Sequence, residues 1–419
     1  MRKNINIIYS LFDALTEKEI ITEIRKSTHF YDEPQFFYYA ASINQKYMKK
    51  KVDIRGAGLS LFSADKALLK CLAESAERFS LINCPINKIV FASYSDSKLR
   101  KKALDPIIYT CNRKIRSRRI GWIRGYNLTK SLECFLPAQL IYQNYDARKD
   151  GINLSDNVST GAAGGFDHES TLCRGIYEII ERDCFMTIYL AQIKIPRIDI
   201  DIIRDEKIQK INSAYIRYNL DVYVFNITND LSIPSFLTIL IDKSNQGPPL
   251  ALGLKSSLNA FQAIYGSMEE AFLTRPWIRQ LMLDKQIKQI TKKPNLISSH
   301  LERAAYWMQP NMLEKLDFLL KQPVVPLHLS YYKNTQSKLG SDKIIHLLKQ
   351  IDYQIYFCDI TPDFLQEIGF KTYKVIIPGL QPLYLREKNK LVIKDRLLRI
   401  SKFFGQKIIS INTIPHPFL

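Results

Sequence analysis

Two periods of apolar residues organise this chain of 419 residues. Leu69, Leu72, Ala73 and Ala76 recur at helical spacing, as do Leu172 and Ile176, and the pattern predicts helices over 64–80, 167–190 and 259–275 or beyond. Asp167 and Asn259 stand where a side chain can cap the second and third of these. Between them lie β-branched and aromatic runs such as Val222-Tyr223-Val224-Phe225 and Phe236-Leu237-Thr238-Ile239-Leu240-Ile241. Strands are therefore expected near 120–128, 220–228, 236–241 and 249–255. Earlier in the chain, Ala14–Ile24 reads as a helix with Thr16 and Glu19 as a capping box, and Phe36–Ser42 as a strand. Residues 285–374 mix helical and strand-like stretches, including Lys343-Ile344-Ile345-x-Leu347-Leu348 and Gln354-Ile355-Tyr356-Phe357. Helices and strands interspersed in this way predict an α+β or mixed α/β fold. No low-complexity linker or fixed-period repeat divides the chain, and the polar stretch Asp146–Asp150 reads as a loop.

A hydrophobic fraction of 46%, with 16 glycines and 18 prolines, fits a folded globular protein. The longest apolar runs have the length of strands and are too short to span a bilayer. The basic start, Met1 to Ile8, has no sustained apolar stretch or cleavage site, so no signal peptide is expected. Seven scattered cysteines without C-x-x-C fit a reducing cytoplasm and offer no zinc site. The net charge of +19 gathers in Lys49-Lys50-Lys51, Arg100-Lys101-Lys102 and Arg113–Arg119. Such charge admits a triphosphate, an acidic peptide or nucleic acid as partner. No helix-turn-helix, zinc-finger or RNP-type pattern accompanies it, and Lys and Ile are used heavily throughout, so nucleic acid is not the expected partner.

Chemistry enters through acids and bases set into the three helices. Glu74-x-x-Glu77-Arg78, Glu178-x-x-Glu181-Arg182-Asp183 and the looser Glu270-x-x-x-x-Arg275 each follow a lead-in of small residues. These are Gly56-Ala57-Gly58-Leu59-Ser60, Ser159-Thr160-Gly161-Ala162-Ala163-Gly164-Gly165 and Gly253-Leu254-Lys255-Ser256-Ser257. Carboxylates three apart share a helix face. Glu74 with Glu77, and Glu178 with Glu181, each make a clamp for a hard cation such as Mg²⁺. Arg78, Arg182 and Arg275 can take phosphate oxygens as planar forks. The lead-ins can bring backbone N–H groups to the same phosphates. A single E-x-x-E-R is most often a solvated face with its own salt bridges. Repetition in register with an apolar face is what points to a metal-bound nucleoside triphosphate. His168, between Asp167 and Glu169, reads as a surface histidine at a helix start.

As an ordered set, these segments resemble the YcaO family, ATP-dependent enzymes that activate peptide amide oxygens. More narrowly, the chain is similar to the stand-alone D component of streptolysin-type cyclodehydratases, which form thiazole and oxazole rings. The resemblance runs from about residue 50 to 419 and takes in Leu136-Pro137-Ala138-Gln139-Leu140, Val375-Ile376-Ile377-Pro378-Gly379-Leu380-Gln381-Pro382 and the terminus Pro415-His416-Pro417-Phe418-Leu419. It implies a YcaO-like ATP-binding fold with three motif-bearing helices packed on β-sheet. Residues 1–50 would form an N-terminal segment, and 51–419 a catalytic domain with a proline-containing tail at 415–419.

The resemblance also implies roles. Glu74, Glu77, Glu178 and Glu181 would hold Mg²⁺, while Ser60, Glu74, Arg78, Ser159, Glu178, Arg182, Glu270 and Arg275 would contact ATP. Arg182, Arg275, Pro417 and Leu419 would serve catalysis. A Cys, Ser or Thr side chain of a precursor peptide would add to the preceding carbonyl, and the resulting oxyanion would take the γ-phosphate. Loss of phosphate then leaves a thiazoline or oxazoline. Implied partners are a leader-binding, ubiquitin-activating-enzyme-like C component and a flavin-dependent azoline dehydrogenase, in a homodimer or hetero-oligomer. Thioamide formation and a degenerate scaffold without ATP turnover are the alternatives. Ala57, Ser170, Gly266 and Leu419 depart from the residues usual in the family, which are Lys, Glu, Arg and Pro.

Overall fold

The computed structural model describes residues 2–27, 30–48, 54–110, 112–154, 156, 158–283, 293–309, 311–327 and 341–419. Lys49-Lys50-Lys51, Cys111 and residues 284–292 and 328–340 of the 285–374 stretch lie outside the described residues. The chain divides into two compact units that alternate along the sequence. The first takes Met1–Ser27, Phe37–Ile179 and Gly340–Gly379, and the second Thr28–Phe36, Ile180–Leu339 and Leu380–Leu419.

In the first unit, strands Ile21–Lys26, Phe37–Ile43 and Arg55–Ser60 (β1) pair antiparallel in that order. Two of them, Ile21–Lys26 and Phe37–Ile43, come from the first fifty residues. Helix Ala64–Ile82 (α1) packs on it, capped by Ser63, whose side chain accepts from the Lys66 amide at 3.2 Å. The packing is backbone on backbone: any side chain at Gly58 would overlap the Ala67 carbonyl. Leu11, Leu15, Cys71, Leu72, Ala76 and Phe370 share the core beneath.

The second sheet of this unit orders Val90–Ser93, Arg119–Asn127, Tyr356–Asp359, Lys371–Ile376 and Ala162–Gly165 (β2), with Leu132–Pro137 also paired to Arg119–Asn127. Helix His168–Ala191 (α2) follows β2. Asp167 caps it by accepting from the Ser170 amide at 2.7 Å, as the sequence predicts.

The expectation for Ala14–Ile24 is corrected. A helix spans Arg2–Glu17 and stops there, and Ile21 begins a strand. Glu19 takes a left-handed conformation (φ 51°), with its amide on the Thr16 carbonyl and the Ile20 amide on Leu15, a helix C-terminal closure. Thr16 thus lies in a last turn, not before a first one.

The second unit carries a five-stranded sheet ordered Leu250–Ser256 (β3), Ser235–Asp242, Leu220–Asn226, Arg197–Ile198 and Val324–Val325. Every residue of the Ser235–Asp242 strand is buried, which is why it is mostly apolar, and its Thr238 hydroxyl is paired with Ser267 at 2.8 Å. Helix Ala260–Ala271 (α3), capped by Asn259, packs on β3, where Gly253 leaves no room for a side chain against the Ser267 carbonyl. The third expected helix is two: α3 ends at Ala271, and a new helix runs Arg275–Leu283. No helix among the described residues is long and apolar enough to cross a membrane.

Candidate functional site

The three capped helices carry the leading glutamate of their acid–base motif at one common interval from the cap: Ser63 to Glu74, Asp167 to Glu178, Asn259 to Glu270. In the first unit this interval presents Glu74 to the sheet that α1 covers. Its Oε2 accepts from the Ala57 amide at 2.9 Å, and its Oε1 pairs with Arg78 at 2.8 Å. Glu178 repeats the arrangement, accepting from the Gly161 amide at 3.0 Å. The lead-in amides of Ala57 and Gly161 therefore orient carboxylates, where the sequence suggests that they reach phosphates directly.

Glu77 completes the group. Burial first, then the nearby Glu178 and Glu74 carboxylates, push it up to about 8 against the opposing pull of Arg78 and Lys374. Burial works against the charge of Arg78, yet Glu74 and Glu77 hold it above its ordinary value.

Lys374 is a member of this group that sequence reasoning missed. It is 4% exposed, donates to the Val158 and Thr160 carbonyls at 2.8 and 2.6 Å, and is pulled down by burial to about 8 although Glu178 and Glu77 favour its charge. The available signal was a lysine inside the buried strand before Pro378, between Tyr373 and Val375. Among the described residues, no three His, Cys, Asp or Glu side chains are gathered closely enough to hold a metal unaided. The clamp is thus not a closed cage. Its chemistry fits Mg²⁺, which takes one or two carboxylates and completes its shell with waters and phosphates.

In the second unit, Glu181 is 2% exposed, accepts from the Ser256 amide at 2.9 Å, and lies 3.3 Å from the Lys255 ammonium and 3.6 Å from Arg182. Arg182 also lies 3.9 Å from Glu270 and stacks on Phe418, 4.2 Å from the ring centre. The next residue, Asp183, is fully buried and accepts from the Gln381 amide at 2.8 Å and Arg396 Nε at 2.9 Å, so it anchors the segment that carries Gln381.

The tail belongs to this unit's core. Trp307 and Tyr189 donate to the Pro415 carbonyl at 3.0 and 3.1 Å, and Arg303 donates to the His416 carbonyl at 2.9 Å. His416 is 1% exposed and donates to the Tyr384 carbonyl, and burial holds its ring far below the ordinary histidine range. Pro417 is buried and Leu419 half-buried, both beside Leu250, Leu252 and Thr274.

Several expected site residues stand elsewhere. Arg275 is corrected: at 1% exposure it pairs with Asp242 and with Glu33 (3.0 Å) and donates to the Pro248 carbonyl (3.1 Å), leaving nothing free for a phosphate. The cause is the helix break, which places it on a different element from Glu270. Ser60 is buried, its hydroxyl accepting from the Phe62 amide at 3.3 Å. The Ser159 carbonyl closes a turn onto the Ala162 amide at 2.8 Å. Glu169 and Ser170 are both exposed in the first turn of α2. His168 bonds Tyr373 at 2.7 Å. A pocket of about 910 Å³ in the first unit opens between Tyr47, Phe79, Ile123, Asp359 and Phe364, away from the glutamates, so cavity size does not locate the chemistry here.

A family model described as YcaO cyclodehydratase, ATP- and Mg²⁺-binding, matches residues 61–381. An uncharacterized protein of Methanothermobacter thermautotrophicus is 22% identical over 323 residues, 75% of this chain and 79% of its own. Among solved structures, a heterocyclase in complex with substrate and cofactor aligns with TM-score 0.73 at 19% identity, over 97% of this chain; this chain spans 57% of that one. The YcaO protein of Methanopyrus kandleri, bound with AMPPCP and Mg²⁺, aligns with TM-score 0.68 at 13% identity, over 93% of this chain and 94% of its own. The E. coli microcin synthetase McbBCD complex aligns with TM-score 0.58 at 15% identity, over 84% of this chain and 86% of its own. These likenesses identify the fold as that of YcaO heterocyclases, a mixed helix-and-sheet architecture.

Proposed function

This chain belongs to the YcaO family, an ATP- and Mg²⁺-binding family, and we propose that it is the ATP-using subunit of a peptide cyclodehydratase. In this reading it activates backbone amides of a ribosomal precursor peptide, so that Cys, Ser or Thr side chains close thiazoline or oxazoline rings. The observation that carries the reading is the crowding of Glu74, Glu77 and Glu178, with Glu77 pushed up to about 8. A carboxylate that burial and its acidic neighbours destabilise, as they do Glu77, is the mark of a site that a cation would complete. Bound ATP supplies the phosphoryl group that turns an amide oxygen into a leaving group, with its charge spread over Mg²⁺.

The chain's own residues bind and orient. In the first unit Glu74, Glu77 and Glu178 would offer oxygens to the metal, with Glu74 and Glu178 held by the Ala57 and Gly161 amides; in the second, Glu181, held by the Ser256 amide, would offer another. Arg78 and Arg182 meet the phosphates, and Glu270 fixes Arg182 from its other side. Pro417 and Leu419, seated in the second unit's core, set the course of the tail beneath Arg182. A separate protein that captures the leader of the precursor peptide completes the enzyme in the cytoplasm.

Phosphate release from ATP, with and without precursor and partner, tests the reading. Glu74→Gln and Glu178→Gln keep shape and remove charge, and each is expected to cut release by about 100-fold or more while the protein stays folded. Wild-type rates in both variants would remove the metal assignment. A wild-type chain that assembles with its partner yet releases no phosphate would be a scaffold.

A further inference from the structure

Lys255 has no role in the reading above, yet its surroundings in the second unit are shaped to it. It is the penultimate residue of β3, just before Ser256, whose amide holds Glu181. Its ammonium lies 3.3 Å from the same carboxylate, with the lysine side chain 43% exposed and the glutamate 2%. The stem between backbone and ammonium runs over Gly266 of α3. A Cβ at that position would lie 2.7 and 2.9 Å from Lys255 Cγ and Cδ. Glycine inside a helix is unfavourable, and here its missing side chain is the groove in which the stem lies.

The charges add to this. Glu181 and Glu270 face Arg182 and Lys255, so the cluster is balanced without a metal. A divalent cation on Glu181 would leave two positive charges in excess, the complement of a polyphosphate. It would also repel the one cation in the group whose head reaches solvent on a flexible stem.

Building on the nucleotide reading, we propose that Lys255 is a further phosphate-binding residue. Its ammonium neutralises Glu181 in the free protein and turns to an ATP phosphate when Mg²⁺ takes that carboxylate, and Gly266 provides the path of its stem.

Calorimetric titration of the full chain with AMPPCP and Mg²⁺ tests this without turnover. Lys255→Gln is expected to weaken binding about tenfold, the worth of one charge-assisted contact, with the melting temperature unchanged. Moving the cation across the groove, in the double variant Lys255→Ala with Gly266→Arg, is expected to restore most of the loss. Lys255→Gln binding as tightly as wild type would overturn the proposal and leave the nucleotide reading standing. So would equal weakness of Lys255→Gln and the double variant, since the missing cation would then not be the cause. A wild-type chain that fails to bind AMPPCP would overturn both.

Discussion

Two charged regions of this molecule handle the same residue types in opposite ways. In the second unit, Arg275 and Arg279 meet Glu33, Asp32 and Asp242 in direct pairs at 3.0, 2.9 and 2.8 Å, besides the Arg275–Asp242 contact. Burial opposes the charge of Asp242, yet its bonds from Ser244 and Arg275 hold it below the usual carboxylate range. There each arginine bridges two acids, so every carboxylate sits directly against a guanidinium. In the first unit, Arg78, Lys374 and Arg174 are all drawn to Glu77, yet burial and the Glu178 and Glu74 carboxylates leave it pushed up to about 8. Charge that the fold satisfies is architecture, whereas charge that the fold leaves in want is an invitation to a ligand.

The sharpest way to break that contrast is a pair of arginine substitutions. Arg275→Met would strand Glu33 and Asp242 in the interior and is expected to cost about 3–5 kcal/mol in urea denaturation. Arg182→Met removes a stack on Phe418 and one partner of Glu181, which keeps the Ser256 amide and Lys255; it is expected to cost less than Arg275→Met yet reduce ATP turnover about 100-fold. If Arg275→Met unfolds at the wild-type midpoint, the two regions do not differ as described.

Next in size is the tail. Deleting residues 415–419 removes buried His416 and Phe418 together with the carbonyl partners of Trp307 and Arg303. A loss of about 3 kcal/mol is expected, read as a lower melting temperature. Removing Leu419 alone is expected to leave stability within about 1 kcal/mol of wild type. An unchanged melting curve after the five-residue deletion would make the tail an ornament of the core and return it to a purely orienting role.

The third effect is a slope. Glu77 has a pKa of about 8 when folded, against 4.5 ordinarily, so folding takes up a proton in that window. Stability of the metal-free protein is then expected to fall as pH rises through the window. Lys374, held at about 8, is charged in both states below that value and adds no slope there. Glu77→Gln should flatten the trend between about pH 5 and about pH 8 in EDTA, measured by denaturant midpoints. An equal slope in both proteins would assign the crowding to some other group.

What could be read from the sequence follows from how local each signal is. Asp167 and Asn259 were legible as caps because a capping side chain must stand immediately before the periodic residues it serves. Thr16 and Glu19 misled because helix ends of both kinds gather polar residues, and the left-handed position at Glu19 carries no glycine to mark it. Arg275 was joined to Glu270 by spacing alone, although Pro276 just behind it signals the first turn of a new helix. Lys374 was out of reach for another reason: it meets Glu178 only because its strand pairs with Ala162, more than two hundred residues earlier. The fold class is legible as pattern, while the partners that the motif glutamates meet are set by long-range pairing.

The shared interval from cap to glutamate has a consequence for how this chain can change. A helix turns about 100° and rises about 1.5 Å with each residue. One residue inserted between Asp167 and Glu178 would swing the carboxylate more than a quarter turn from the Gly161 amide that holds it at 3.0 Å. Exposed positions in that stretch, such as Glu169 and Ser170, can drift in chemistry, but the stretch cannot change in length. Variation here is confined to spelling, and insertions or deletions are left to the loops outside the caps.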